Sequence, residues 1–274
     1  MYGTVPGALA AACLRSPGRW YPADVAAPRA SAAEPTPGYR RRLGDVVVLL
    51  VAALVLLASS LVMGRVDRVP EEERSAFHAV NDLPGWLRPI VEPLMQLGWF
   101  GTILIVAVGA IVVGLATHHP RRGAVLGLAV GLAGTGAYLA ARLGKEMVNR
   151  GRPGSMLEEV RIRGAAAAGL GFPSGHAAVS AAIVLVVIPY LVWRWRWALL
   201  ALPLIVAFAR VYVGAHLPLD VLAGLAIGAM CACAINLAIG VPPRPVRGPV
   251  SEGGESSGED AMPPPEEAPL GSSR

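Results

Sequence analysis

The sequence contains six stretches of predominantly apolar residues, each close to the roughly 20 residues that a helix needs to cross a bilayer. They lie at about residues 46–64, 98–117, 123–141, 177–193, 197–214 and 218–240. The whole chain is 54% hydrophobic and only 16% charged, so it is too apolar for an ordinary soluble domain. We therefore predict an all-α fold, a polytopic membrane helix bundle of about six transmembrane helices within residues 44–240.

Two polar segments flank the predicted bundle. Residues 1–43 are rich in Pro, Ala and Arg, and residues 241–274 are rich in Pro, Gly, Ser and Glu. Segments of this kind bury too little apolar surface to fold. We predict a disordered cytoplasmic arm and a disordered cytoplasmic tail. Residues 69–96 mix acids, prolines and apolar residues, and fit either a segment along the outer membrane interface or a plain linker.

Arginines cluster in the connections on one side of the predicted bundle. They precede the first span and fill the second and fourth connections, at Arg40, Arg41, Arg42, Arg121, Arg122, Arg194 and Arg196. By the positive-inside rule these connections face the cytoplasm, and the other loops face outward from the cell membrane. Because much of the net charge of +5 has this topological explanation, we expect no nucleic-acid partner.

Glycines recur every four residues in two of the apolar stretches. Gly123, Gly127 and Gly131 lie in the third, and Gly224 and Gly228 lie in the sixth. Small residues at this spacing let helices approach closely. We expect tight packing inside one bundle rather than a dimer interface.

A first polar motif follows the third span, on the predicted outer side. Lys145, the single lysine in the chain, is followed after six residues by Arg152 and Pro153. Arginine binds phosphate oxygens as a planar fork, whereas lysine acts as a point charge. Basic residues after a span can also meet lipid headgroups, so this spacing alone fits either function.

A second motif, Pro173-Ser174-Gly175-His176, stands immediately before the fourth span. Ser174 suits a helix N-cap, and Gly175 lets the backbone approach a ligand, so the N–H groups of the helix start would point at an anion. His176 would lie on the same first turn. The tetrapeptide alone is equally typical of a plain helix start.

The third motif spans the connection between the last two apolar stretches. Arg210 lies near the outer end of the fifth span, where a charge is costly and is functional by default. His216 and Asp220 are four residues apart, which places them on one face. The carboxylate can then keep one imidazole nitrogen protonated and leave the other free to attack. The alternative is a structural His–Asp cap, which leaves His176 and Arg210 unexplained.

Together the motifs match the needs of phosphate ester hydrolysis: donors around the phosphate oxygens, a nucleophile and an acid. In order, spacing and placement they closely resemble the signature of the type 2 phosphatidic acid phosphatase (PAP2) superfamily, which also includes vanadium haloperoxidases. The resemblance covers about residues 44–240.

The resemblance implies that His216 is the nucleophile that forms a phosphohistidine, that Asp220 orients it, and that His176 protonates the leaving alcohol. It also implies a set of phosphate-binding residues, namely Lys145, Arg152, Ser174, Gly175 and Arg210. It implies neither a metal ion nor another cofactor. The chain departs from the family at Ala209, where Ser or Thr is usual, so a hydrogen bond of about 1 kcal/mol is lost.

These features favour an integral-membrane phosphatase whose substrate is a lipid phosphate in the bilayer. Candidate substrates are phosphatidic acid, phosphatidylglycerol phosphate and polyprenyl (di)phosphates. A phosphotransferase that passes the phosphate to an acceptor other than water is the second hypothesis. A non-catalytic membrane scaffold or transporter of the same fold is the third.

Overall fold

The computed structural model describes residues 38–64, 68–164 and 168–243. Within these ranges the regular structure is helical, apart from one isolated bridge between Arg40 and Val241. The helices are α1 (Leu43–Gly64), α2 (Glu71–Asn81), α3 (Arg88–Met95), α4 (Phe100–Ala116), α5 (Pro120–Val148), α6 (Pro153–Met156), α7 (Gly175–Val187), α8 (Trp193–Tyr212) and α9 (Pro218–Ile239). Short 3-10 turns occupy Gly85–Leu87, Gln96–Gly98 and Ile188–Tyr190.

The prediction of an all-α membrane bundle is confirmed for the described residues. Four segments are long and apolar enough to cross a membrane: Leu43–Met63, Pro120–Met156, Trp193–Tyr212 and Pro218–Ile239. A fifth arises if Gly85–Gly98 and Phe100–Ala116, which meet at 68°, form one broken span. The predicted fourth span corresponds to a shorter apolar helix, Gly175–Tyr190. The chain is therefore a multi-pass membrane protein, and the number of six spans stays a prediction.

α7 lies in the middle of the bundle, and α9 packs closely along it. A Cβ atom on Gly228 would lie 2.2 Å from the carbonyl oxygen of Ala178, and one on Gly224 would lie 2.4 Å from that of Ser174. Because these neighbours are backbone atoms, only glycine fits at both positions. The predicted close packing is confirmed here.

The three glycines of α5 differ in how closely a neighbouring helix packs against them. Cβ atoms on Gly123 and Gly127 would lie 2.6 Å and 2.8 Å from carbonyl oxygens of α4, so these two glycines also allow close packing. A Cβ atom on Gly131 would meet nothing within 4 Å. The prediction of close packing is therefore wrong for Gly131.

The segment between α1 and α4 folds as α2 and α3 and packs on α8. Phe77 of α2 and Val91 of α3 are buried in separate apolar clusters with residues of α8. The buried Asn81 side chain donates a hydrogen bond of 3.0 Å to the carbonyl of Tyr212 and accepts one of 2.9 Å from the N–H of Arg161. These contacts fix α2 and α3 against the end of the bundle where α8 ends.

The two ends of the helical domain pair with each other. The N–H of Arg40 donates to the carbonyl of Val241 at 2.8 Å, and the N–H of Val241 donates back at 3.0 Å. Most of the predicted arm, residues 1–37, and of the predicted tail, residues 244–274, lies outside the described residues. The domain boundaries therefore stay predictions.

Candidate active site

The three motifs meet at one end of the helix bundle. Lys145 lies in the last turn of α5, Ser174 is the N-cap of α7, and Asp220 lies in the first turn of α9. The remaining predicted residues occupy neighbouring helix ends: Arg152 is the N-cap of α6, Gly175 and His176 begin α7, Arg210 lies in the last turn of α8, and His216 follows α8. The chain thus assembles all of the predicted site residues in one region.

His216 is almost completely buried, with 2% of its surface exposed. Its Nδ1 atom lies 3.5 Å from Oδ2 of Asp220, longer than an ordinary hydrogen bond, and has no hydrogen-bond partner among the described residues. Burial lowers the pKa of His216 to about 4; Asp220 opposes this shift, and the positive charge of Arg210 adds to it. The imidazole is therefore neutral at pH 7, which is the form in which a nitrogen can attack.

His176 lies on the first turn of α7, close enough to His216 for their charges to interact. The three predicted cations, Lys145, Arg152 and Arg210, are also close enough to His176 for their charges to interact with it. The turn before α4 also packs on this histidine, since a Cβ atom on Gly98 would lie 2.4 Å from the His176 carbonyl oxygen. Two imidazoles and three cations therefore share one site.

Arg210 retains free hydrogen-bonding capacity. Only 9% of its surface is exposed, and its Nη1 atom lies 3.0 Å from Sδ of Met95. Its buried Nε atom has no hydrogen-bond partner among the described residues. A thioether is a weak acceptor, and a buried donor without a partner is unfavourable. This guanidinium is therefore suited to binding an anion.

The other two cations are anchored to backbone carbonyls. Nζ of Lys145 donates to Leu170 at 2.8 Å and to Gly171 at 3.2 Å. Nη1 of Arg152 donates to the carbonyl of Ala215, next to His216, at 2.8 Å. These bonds connect the loop before α7 to α5, and the start of α6 to the residue that precedes His216.

Ser174 and Gly175 stand at the start of α7, where Ser174 is buried. Ser174 occupies the predicted N-cap position, but its side chain makes no capping hydrogen bond. Its Oγ atom is buried without a partner among the described residues. A Cβ atom on Gly175 would meet nothing within 4 Å, and Gly175 lines one of the cavities described below, so there is open space beside this residue. The first N–H groups of a helix favour an anion in such a space.

Two cavities open around these residues. One of about 510 Å³ is lined in part by Arg152, Arg210 and Ala215. The other, of about 330 Å³, is lined in part by Lys145 and Gly175. Arg152 and Arg210 thus line one cavity, and Lys145 lines the other.

Ala209 fits its surroundings. It is fully buried in an apolar cluster with Val91 of α3 and Tyr212 of α8. Its methyl group therefore contributes to the packing of α3 on α8.

Sequence reasoning missed two buried charged residues beside Asp220. Nη1 of Arg150 lies 2.7 Å from Oδ1 of Asp220, and Nη2 lies 2.5 Å from Oε2 of Glu73. Arg150 lies two residues before Arg152, inside the first motif, and this position could have identified it as a site residue. No sequence feature identifies Glu73 as a site residue, because it lies 77 residues before Arg150 and outside the three motifs. For metals, the described residues contain no group of three or more His, Cys, Asp or Glu side chains able to hold an ion.

Part of this chain is similar to known proteins. The model of the PAP2 superfamily matches residues 122–241, which include all three motifs. No curated protein matches the sequence significantly.

Two solved structures share the fold. A transmembrane PAP2 type phosphatidylglycerolphosphate phosphatase from Bacillus subtilis is 20% identical, with a TM-score of 0.54 over 70% of this chain and 94% of its own. LpxE from Aquifex aeolicus is 23% identical, with a TM-score of 0.52 over 62% of this chain and 98% of its own. Residues 122–241, which contain the three motifs, therefore match the PAP2 superfamily, and the membrane domain shares its fold with these two solved structures.

Proposed function

We propose that this protein is an integral-membrane phosphatase that removes the phosphate or diphosphate headgroup of a lipid through a phosphohistidine intermediate. The observation that carries the proposal is a buried, neutral His216 that lies beside Asp220 and within electrostatic reach of the Arg210 guanidinium, whose Nε atom lacks a partner among the described residues. A nucleophile, an orienting carboxylate and an anion-binding donor thereby lie together.

In the first step Nε2 of His216 attacks phosphorus, and the bond from phosphorus to the leaving lipid oxygen breaks. His176, protonated once the bound phosphate dianion offsets the surrounding cations, gives its proton to that oxygen, so the lipid of a phosphomonoester leaves as a neutral alcohol. Asp220 accepts a hydrogen bond from Nδ1–H and stabilises the imidazolium that forms. In the second step His176 takes a proton from water, and the hydroxyl oxygen displaces His216 to release inorganic phosphate.

The phosphate oxygens would be held by the cations and the helix end. Arg210 offers its Nε–H, which has no partner among the described residues, and Lys145 and Arg152 contribute positive charge. The Ser174 hydroxyl, which has no partner among the described residues, and the backbone at Gly175 complete the set of phosphate-binding groups. Such preorganised donors stabilise the charge that develops in the transition state.

We place the site on the extracytoplasmic face of the cell membrane. Arg121 and Arg122 lie at the start of α5, whereas Lys145 lies in its last turn, so the basic connection and the site are at opposite ends of one helix. Candidate substrates are phosphatidic acid, phosphatidylglycerol phosphate and polyprenyl (di)phosphates, because each presents a phosphate at the bilayer surface.

Phosphate release from these lipids by purified protein in detergent tests the proposal. We expect turnover by the wild type, none by His216→Ala, and inhibition by vanadate, which mimics five-coordinate phosphorus. His119→Ala is the matched control, since His119 is exposed at the start of α5, away from the site. Full activity in folded His216→Ala protein would refute the mechanism. Transfer of labelled phosphate to an acceptor without release would indicate the phosphotransferase.

A further inference from the structure

Arg150 bridges two buried carboxylates behind the proposed nucleophile. Its Nη1 atom donates to Oδ1 of Asp220 at 2.7 Å and to Oε1 of Glu73 at 3.1 Å, and its Nη2 donates to Oε2 of Glu73 at 2.5 Å. At least nine-tenths of each of the three residues is buried. A buried guanidinium between two carboxylates is held in one geometry, because every alternative leaves a buried charge unpaired.

Glu73 completes this network from another part of the chain. It lies in α2, outside the residues that match the family model. Its Oε1 atom also accepts a 2.9 Å hydrogen bond from the N–H of Leu219, in the first turn of α9. Glu73 thus fixes Arg150 and the start of α9 at once, and a carboxylate is favourable at a helix N-terminus.

The network decides which oxygen of Asp220 faces the histidine. Arg150 occupies Oδ1, while Oδ2 accepts from the N–H of Leu217 at 2.9 Å and lies 3.5 Å from Nδ1 of His216. A Cβ atom on Gly171 would lie 3.1 Å from Oδ2, so the Gly171 backbone also lies close to this oxygen. The carboxylate therefore cannot rotate without losing the ion pair.

We propose that Glu73 and Arg150 are positioning residues that hold Asp220 oriented toward Nδ1 of His216 and so keep Nε2 unprotonated for attack. The proposal rests on the proposed function, in which His216 is the nucleophile. With Arg150 paired to both carboxylates, the trio carries one net negative charge beside the imidazole. In a variant with a neutral residue at position 73, Arg150 would pair with Asp220 alone. The Asp220 carboxylate would then interact less strongly with the Nδ1–H group of His216.

The first measurement separates kcat from KM in Glu73→Gln and Arg150→Lys. We expect kcat to fall about 10- to 100-fold, as for residues that orient metal-bound histidines, with KM within about twofold of the wild type because the phosphate-binding cations remain. Glu71→Gln is the matched control: it removes an exposed ion pair with Arg74 from the same helix and leaves kcat unchanged.

The second measurement needs no substrate. The imidazole nitrogens of ¹⁵N-histidine-labelled protein report the tautomer of each histidine, and His216→Ala assigns the His216 signals. We expect the Nδ1–H tautomer in the wild type and in Glu71→Gln, and a mixture of tautomers in Glu73→Gln. Where Glu73→Gln is not recovered as monodisperse protein, Arg150→Lys, which keeps the positive charge, tests the same point.

The two measurements separate the two hypotheses. Wild-type kcat and an unchanged His216 tautomer in both variants would overturn the positioning role, even if phosphate release by the wild type supports the proposed function. A lower melting temperature with an unchanged tautomer would also overturn it, because that result indicates a purely structural ion pair. If the wild-type protein released no phosphate from the lipid substrates, this result would instead contradict the proposed function, whichever tautomers are observed.

Discussion

The backbone N–H of Ser174 donates a 2.8 Å hydrogen bond to the carbonyl oxygen of Asp220. This bond joins the first turn of α7, which carries His176, to the first turn of α9, which follows His216. Close packing of α9 on α7 at Gly224 and Gly228 continues the same contact into the membrane domain. The distance between the two histidines is therefore set by helix packing.

Gly228→Ala should lower both stability and activity. The added Cβ atom would lie 2.2 Å from a backbone oxygen of α7, so the helices must separate, at a cost of about 1–3 kcal/mol. A shift of that kind at the site can reduce catalysis by about 100-fold. Thermal unfolding and kcat measure the two effects. Gly131→Ala is the control: a Cβ atom there meets nothing within 4 Å, so stability should not fall.

Arg210→Gln should reduce kcat/KM by about 10- to 100-fold, the value expected for loss of a charged hydrogen-bond donor of about 1.5–3 kcal/mol. Weaker inhibition by vanadate should accompany this loss. Arg161→Gln serves as the control, because Arg161 is exposed and its side chain contacts Asp82 rather than the site. A variant at Arg210 that retains wild-type kcat/KM would exclude this residue from phosphate binding.

His216 should make the protein less stable between pH 6.5 and about 4. The folded pKa of about 4 lies below the ordinary value of 6.5, so over this range the unfolded chain binds a proton that the folded chain does not. The stabilisation is complete above pH 6.5 and is lost as the pH falls toward 4. Melting temperatures across this range should decline less steeply in His216→Gln than in the wild type. An equal slope in both proteins would contradict the buried, neutral histidine.

Ser155→Cys should react with a membrane-impermeant maleimide added to intact cells, in a background in which Cys13, Cys231 and Cys233 are replaced. Ser155 is exposed beside the cavity that contains Arg152 and Arg210, so it reports the face of the site. His119→Cys, at the start of α5, should react only after the membrane is permeabilised. The opposite pattern would place the site on the cytoplasmic face.

Local spacing made much of the site predictable. The four-residue separation of His216 and Asp220 places them side by side on any helix start, and Ser174 and Gly175 stand where an apolar stretch begins. The apolar stretches likewise set the positions of the long helices. These features depend on residues near each other in the chain, which periodicity and spacing describe directly.

Long-range pairing was beyond the reach of the sequence. Arg150 and Glu73 are 77 residues apart, and nothing local to Glu73 separates it from its exposed neighbours Glu71 and Glu72. The use of Met95 as the partner of Arg210 depends on how α3 packs on α8. The bend between the Gly85–Gly98 and Phe100–Ala116 segments is also a tertiary feature.

The pairing of Arg40 with Val241 bears on the depth of the candidate active site below the membrane surface. Since α1 starts and α9 ends at this pair, both lie at the same membrane surface, and the chain between them crosses an even number of times. If the bent pair counts as one crossing, α7 must count as another. α7 and the following turn have 13 and 3 residues, about 24 Å of helix, against a hydrocarbon core of about 30 Å. Because most of α7 is buried among the other helices, the bilayer need not match its length, and the histidines at this end of the bundle can lie below the level of the headgroups.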